Sequence, residues 1–349
     1  MNLPQPLPDM PSRLRFLGSA AAHPGGAGPV ELIETHMSWV FLARETVLKL
    51  KKPVRYAMLD FSTVSAREFY CREEVRLNAR LAPGVYLGVR ALQWQDGALT
   101  VSAPAHLSAA AQTLDWLVLM RRLPARQMLD QRIAAGQVTP EDIDALIGVL
   151  ARFYRAAAGV GIAADAYVRQ LQREQQLNRR LLLDPRWQLP GVAGALDRLD
   201  AALTRHAPAL GERATAGRVL DGHGDLRPEH VCLQRPPVVI DRIEFNAALR
   251  QVDPFDELAF LGLECDVAGA PWIAGHLFDA GAAALGERPD AALLRLYTAW
   301  RALLRARLSM AHLLDAEPRT PQRWPVRARR YVQQAMAALD ALDVAVLGR

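Results

Sequence analysis

The sequence predicts an α+β chain in two unequal parts, a small antiparallel sheet with one helix followed by a larger, mostly α-helical part. Three observations carry this expectation. Strand-like runs crowd residues 30–54 and 85–123, with strict alternation in TVLKLKK. Capped apolar repeats of helical period fill most of the chain from residue 139 onward. Between them lies one non-helical unit, residues 219–246, reading VLDGHGDLRPEHVCLQRPPVVIDRIEFN.

Taken in order, residues 1–29 read as a lead segment with a flexible patch, HPGGAGP, at 23–29. VELIETH and SWVFLAR follow as strands, then TVLKLKK, whose alternation sets Val47, Lys49 and Lys51 on one face and Leu48 and Leu50 on the other. Lysines are thereby aimed off the sheet. Ser62 is the expected N-cap of a helix over 64–81, with Phe69, Val75, Leu77 and Leu81 as its apolar positions around Glu73 and Glu74. VYLGVRAL, LTVSA and LDWLVLMRRL complete the sheet, so the first part is expected over 30–123 and the second over 124–349. Thr139-Pro140-Glu141-Asp142 is a strong helix start, with a cap, a proline in the first turn and two acids at the positive end. Helices are also expected over 167–183, 192–206, in FDELAFLGLEC, WIAGHLFDAGAAAL and ALLRLYTAWRALLRARLSMAHLL, and over 325–347.

A chain of 349 residues with 51% hydrophobic content exceeds what one core ordinarily serves, which agrees with two parts. Its 42 Lys and Arg against 37 Asp and Glu leave a charge of +5 with no basic run, which speaks against a nucleic-acid footprint. Cys71, Cys232 and Cys265, an odd number at wide spacing, point to a reducing compartment rather than a disulfide framework. Prolines break the first sixteen residues where a secretory signal needs an apolar core, and no window has the length of a membrane span. The expectation is a cytoplasmic protein with no membrane partner.

The chemistry concentrates in the 219–246 unit. Asp225 follows a His-Gly lead-in, and Asp241 ends the apolar run PPVVI. Paired carboxylates of this kind suit metal-phosphate chemistry, one meeting a proton and the other a divalent cation. Lys49 or Lys51 can bridge phosphates, and Glu74 or Glu73 can hold that lysine. The plainer readings are a turn aspartate, a solvated strand face, and surface glutamates.

In the order Lys49, Glu74, His223-Gly224-Asp225, Asp241, the chain resembles the aminoglycoside phosphotransferase and choline kinase branch of the protein-kinase-like fold, whose catalytic loop reads H-G-D-x-x-x-x-N. ETHMSWVFL, LKLKKPV, LDFST, YCREEVRLNARLAP, GVYLGV, DGHGDL and IEFN are similar to an uncharacterised bacterial group of that family, some of whose members carry a P-loop ATPase domain. No GxxxxGK[ST] occurs here, so that domain is not expected. The resemblance runs over residues 30–310 and implies a two-lobed kinase of small molecules with its catalytic loop at 221–246. It implies ATP or GTP with Mg2+ as cofactors and a metabolite hydroxyl as acceptor. It further implies Asp225 as catalytic base, Asp241 as metal ligand, Lys49 (or Lys51) on the phosphates with Glu74 as partner, and a nucleotide-base edge met by Leu119, Met120 and Arg121.

His230 stands where the family has its second metal-binding residue, an Asn. As a metal ligand, imidazole suits Mn2+ better than Mg2+. The departure leaves open a nucleotide-binding regulator that does not transfer phosphate, and the fall of His223, Asp225, His230 and Cys232 within ten residues leaves open a metal-dependent hydrolase.

Overall fold

The computed structural model describes residues 6–25, 28–56, 58–315 and 317–347. The chain divides into two compact units, 1–127 with 238–247, and 128–237 with 248–349. Residues 1–5 of the proline-broken N-terminus, and Gly26 and Ala27 of the expected flexible patch, lie outside the described residues.

The first unit contains β1 (Glu31–Glu34), β2 (Ser38–Leu42), β3 (Thr46–Lys51), a short hairpin of β4 (Arg55–Tyr56) and β5 (Leu59–Asp60), then β6 (Tyr86–Gln95), β7 (Ala98–Ser102) and β8 (Gln112–Arg121). Six of them form one antiparallel sheet in the order β1-β2-β3-β8-β6-β7. Alternation in β3 sorts its side chains as the sequence predicts. Leu48 and Leu50 enter a core with Phe41, Leu92, Leu117 and Leu119, while Lys49 and Lys51 leave by the other face.

That core is closed by residues expected only to lead into the fold. Asp9 caps α1 (Met10–Leu17) by accepting from the Ser12 amide, and Leu17 and Ala22 are buried among the sheet leucines. The signal was present in the sequence: an Asp cap, a proline in the first turn, and Met10, Leu14 and Leu17 at helical spacing.

The helix on the opposite face, α2 (Val64–Asn78), is capped by Thr63, whose hydroxyl accepts from the Ala66 amide; Ser62 bonds Asp60 instead. Its buried residues are Arg67, Cys71, Glu74, Leu77 and Asn78, whereas Phe69 is 58% exposed. The expected apolar stripe is therefore partly wrong, because this helix docks through polar side chains. Arg67 makes a bidentate pair with buried Asp115 of β8, at 2.7 and 2.9 Å, and also bonds the Phe61 carbonyl. Residues 238–247 join this unit rather than the helical part to which the sequence reading assigned them. The Val239 amide donates to the Leu81 carbonyl at 3.1 Å, and Phe245 meets Phe61 edge to face.

The second unit is helical: α3 (Leu129–Ala134), α4 (Pro140–Arg155), α5 (Ala164–Leu182), α6 (Val192–Arg205), α7 (Ala207–Thr215), α8 (Pro254–Val267), α9 (Trp272–Leu285), α10 (Ala291–Ala311) and α11 (Arg323–Leu347). At α4, whose start the sequence predicts, the Thr139 hydroxyl and the Asp142 carboxylate form a reciprocal capping box. Two helices escaped the sequence reading: α3 is too short to show a period, and α7 follows α6 with only His206 between them. Every residue of α8 from Pro254 to Cys265 is buried, which makes it the central helix of this unit.

Because Leu17 is buried in this core, Leu17→Ala loses about 2–5 kcal/mol of unfolding free energy in a urea titration. Phe69→Ala stays within about 0.5 kcal/mol of the parent.

Candidate active site

Two sets of charged side chains take shape, one in each unit. In the first, β3 sends Lys49 and Lys51 toward Glu74 of α2. The Lys49 ammonium lies 2.8 Å from one Glu74 oxygen and 2.6 Å from an Asp241 oxygen. The Lys51 ammonium lies 2.6 Å from the other Glu74 oxygen and 2.5 Å from Glu244. Asp241, Lys49, Glu74, Lys51 and Glu244 thus form one continuous chain of opposite charges. Glu73, the alternative partner in the sequence, turns outward to Arg76. Lys51 is only 1% exposed, while the Asp241 carboxylate is 41% exposed.

Burial in this chain opposes every charge, so what keeps each group ionised is its neighbour. Lys49 is held well above the ordinary lysine range, burial working against it but Asp241 and Glu74 prevailing. Lys51 is raised likewise by Glu244 and Glu74. Burial pushes the Glu74 carboxyl up, yet the two ammonium groups bring it below its usual value. Glu244 moves the other way, because its burial outweighs Lys51. Asp241 itself sits in the left-handed region at φ 64°, which aspartate tolerates better than most residues.

Leu119, Met120 and Arg121 lie in β8 between β3 and β6. Leu119 faces Leu48 on one side and Gly88 on the other, and Met120 faces Val47 and Tyr86. The Arg121 amide donates to the Val85 carbonyl and the Arg122 amide to Glu45. The three residues are sheet interior, so their expected role as an open backbone edge is not supported.

The second unit holds the His-Gly-Asp loop. Its entry, Leu220–Asp221, pairs antiparallel with Gln251–Val252, and the Gly222 amide donates to the Arg250 carbonyl. Beneath the turn lies the buried Glu257 of α8, whose carboxylate accepts from the amides of His223 and Gly224 and from the Tyr154 hydroxyl. A side chain at Gly222 has no room, since its Cβ would stand 2.4 Å from Val252 and 2.8 Å from a Glu257 oxygen. The buried His223 accepts from the Asp225 amide through Nδ1, a structural role that shapes the loop.

Asp225 is half-buried, and the Arg227 guanidinium lies 3.0 Å from its carboxylate. Burial pushes the Asp225 carboxyl up, but Arg227, with His230, Arg305 and His223 behind it, brings it below the usual carboxylate range. His230 does not present itself as the expected metal ligand. Its Nδ1 bonds the Asp225 carbonyl at 2.8 Å and its Nε2 meets Arg227 at 3.1 Å. Both ring nitrogens are engaged, one as donor to a carbonyl and the other as acceptor from a guanidinium. Nor, among the described residues, do His223, Asp225, His230 and Cys232 bring three ligand atoms within reach of one ion.

Asp253 caps α8 through the Phe255 amide, as its position at the helix start suggests, and it also receives Arg213 and the Tyr297 hydroxyl. Asp256 is paired bidentately with Arg301. Arg301, Arg305 and Arg307, at helical spacing on α10, pair with Asp256, Glu264 and Glu174. Sequence reasoning passed over Glu257, Tyr154, Arg227 and Glu244. Arg227 and Glu244 lay inside the 219–246 unit already singled out, whereas Tyr154 and Glu257 are 103 residues apart and nothing local joins them.

Gly222→Ala is expected to cost about 1–3 kcal/mol of stability through overpacking. Gly194→Ala, where a Cβ meets nothing within 4 Å inside α6, gains about 0.5–1 kcal/mol. Paired thermal melts measure both.

Residues 66–241, about half of the chain, match the family described as "Phosphotransferase enzyme family". Uncharacterised proteins of Mycobacterium tuberculosis and Mycobacterium bovis are 30% identical over 310 residues, 86% of this chain. The chain spans 59% of the length of these relatives. Among solved structures, it is similar to a choline kinase of Streptococcus pneumoniae, at TM-score 0.52 and 12% identity over 90% of this chain and 94% of the other. It is also similar to a choline kinase of Cryptosporidium parvum, at TM-score 0.51 and 9% identity over 89% and 90%. A thermostable mutant of an aminoglycoside phosphotransferase gives TM-score 0.51 and 13% identity over 91% and 96%. At such identities these likenesses establish the kinase-like α+β fold. The family match spans Glu74 and both loop aspartates, and on its extent this chain belongs to the phosphotransferase enzyme family.

Proposed function

We propose that the protein is a small-molecule kinase that moves the terminal phosphate of ATP or GTP to a hydroxyl of a metabolite. The single observation that carries the reading is the Lys49 ammonium shared between Glu74 and Asp241. A lysine kept charged by a buried glutamate and set against a half-exposed carboxylate is the arrangement needed to receive phosphates beside a cation.

In this reading Lys49 takes the α- and β-phosphates, while Lys51, buried between Glu74 and Glu244, keeps Glu74 in place. Asp241 supplies the hard oxygen donor that Mg2+ prefers, and its exposure suits it to hold one. The bound cation contributes neutralisation of phosphate charge. His230 does not fit as a second ligand, since its nitrogens are committed to Asp225 and Arg227. Recognition of the nucleotide base moves past Arg122, where the pairing of β8 ends.

Asp225 orients the acceptor hydroxyl and takes its proton as the new P–O bond forms and the bond from the γ-phosphorus to the bridging oxygen breaks, releasing the nucleoside diphosphate. Its depressed pKa makes it a weak base that is ionised throughout the neutral range, which suits a late proton transfer. Glu257 fixes the loop that carries it by holding two successive amides.

One observation favours a second reading, nucleotide binding without transfer: the ion pair of Asp225 with Arg227, together with the committed His230, leaves the base occupied. A metabolite-library phosphorylation screen with Mg2+ and with Mn2+ separates the two. Transfer that falls by roughly 10²–10⁴-fold in Asp225→Ala supports the kinase. A thermal shift with magnesium-nucleotide and no turnover on any acceptor supports the regulator.

The pH dependence follows from the direction of the Asp225 shift. A depressed carboxyl keeps its active, ionised form below the ordinary carboxylate range and loses it as pH falls through the depressed value. Arg227→Met removes the main cause of that depression. The acid limb of kcat/KM is therefore expected to move to higher pH in the variant, and an unmoved limb would detach Asp225 from the rate.

A further inference from the structure

We propose that Asn78 and Tyr86 are positioning residues that hold the peptide of Asp241 and thereby set the direction of its carboxylate, an inference that rests on reading Asp241 as the cation-holding group. The backbone amide of Asp241 donates to the Tyr86 hydroxyl at 3.0 Å. The next amide, of Arg242, donates to the Asn78 side-chain oxygen at 2.9 Å. The Asn78 amide nitrogen reaches the Arg242 carbonyl at 3.4 Å and the Glu74 carbonyl at 2.9 Å. One side chain thus meets both backbone groups of the residue after Asp241. The orientation of that amide follows from its partners, because the reversed one would set two donors face to face.

Both side chains are buried, Asn78 completely. Their burial means that the two amides have these partners without competition from bulk water. The conformation that needs holding is the left-handed one at Asp241, φ 64°, which a β-carbon disfavours. With the amides on either side of its α-carbon tied down, the only soft coordinates left to the carboxylate are its own side-chain torsions. A ligand held in this way loses little freedom on meeting an ion.

The placement of Asn78 carries the inference further. It follows Glu74 by one helical turn, so both project from the same face of α2. Glu74 holds the lysine and Asn78 holds the segment of the cation carboxylate, so one rigid helix sets both ends of the Lys49–Asp241 pair. Tyr86 fixes the same segment from β6, opposite Met120 of the central strand β8. Lys49 lies against Asp241 and is itself shared with Glu74, and neither positioning residue adds a charge to this pair.

The test is a Mg2+ titration of the binding of a fluorescent methylanthraniloyl-ATP, compared with its binding without metal, in the parent, Tyr86→Phe, Asn78→Leu and Asp241→Asn. The expected result is a rise of about 10–100-fold in the half-saturating Mg2+ for Tyr86→Phe and Asn78→Leu, the range usual for groups that orient a metal ligand. Metal-free binding stays within about twofold, and Asp241→Asn abolishes the metal dependence. If Asp241→Asn abolishes it while the other two leave half-saturation unmoved, the positioning role is wrong and the reading of Asp241 stands. An equal loss of metal-free and metal-dependent binding in Tyr86→Phe and Asn78→Leu also overturns the proposal, as a general structural defect. If Asp241→Asn changes nothing, the reading of Asp241 fails and this inference with it. Should Asn78→Leu not fold by circular dichroism, Tyr86→Phe, which keeps the ring, decides alone.

Discussion

The carboxylate of Glu74, fully buried and shared by two ammonium groups, is the interaction around which the first unit is arranged. Withdrawing any of these charges from water is costly, and the cost is recovered only while every partner stays in place. Lys49 and Lys51 on one strand face, Glu74 on one helix, and Asp241 and Glu244 on one late segment therefore depend on one another. Two ammonium groups are shared among three carboxylates, so each lysine serves more than one partner.

The second unit uses buried charge in a comparable way. Arg213 with Asp253, Arg301 with Asp256 and Arg305 with Glu264 tie α7 and α10 to the two ends of α8. Tyr154 of α4 and the His-Gly-Asp loop meet on Glu257 of the same helix. Such pairs add little to stability over an apolar core, but they are directional where apolar contacts are not. The loop that carries Asp225 is held by that directionality.

Much of this was legible in the residues. The strands, the helix start at Thr139 and the two faces of β3 follow from period and cap chemistry, whereas Glu74 comes from the family resemblance, since the residues alone leave Glu73 and Glu74 both open. What the sequence concealed has definite physical causes. The helix α2 buries Arg67, Glu74 and Asn78, and a polar buried stripe gives no hydrophobic period to read. The helix α1 was passed over because it is short and flanked by prolines, although its cap was visible. Glu257 gave no local signal, since only the folded chain brings the amides of His223 and Gly224 to it. His230 was assigned by position in a motif, and its partners commit it elsewhere.

The polar underside of α2 has a bearing on how this helix can move. An apolar helix face can slide or roll across a sheet through a series of seats of similar energy. A one-turn slip of α2 would part Arg67 from Asp115, Glu74 from both lysines, and Asn78 from Arg242 in a single movement. The helix therefore has one polar seat, and leaving it breaks all three sets of anchors together.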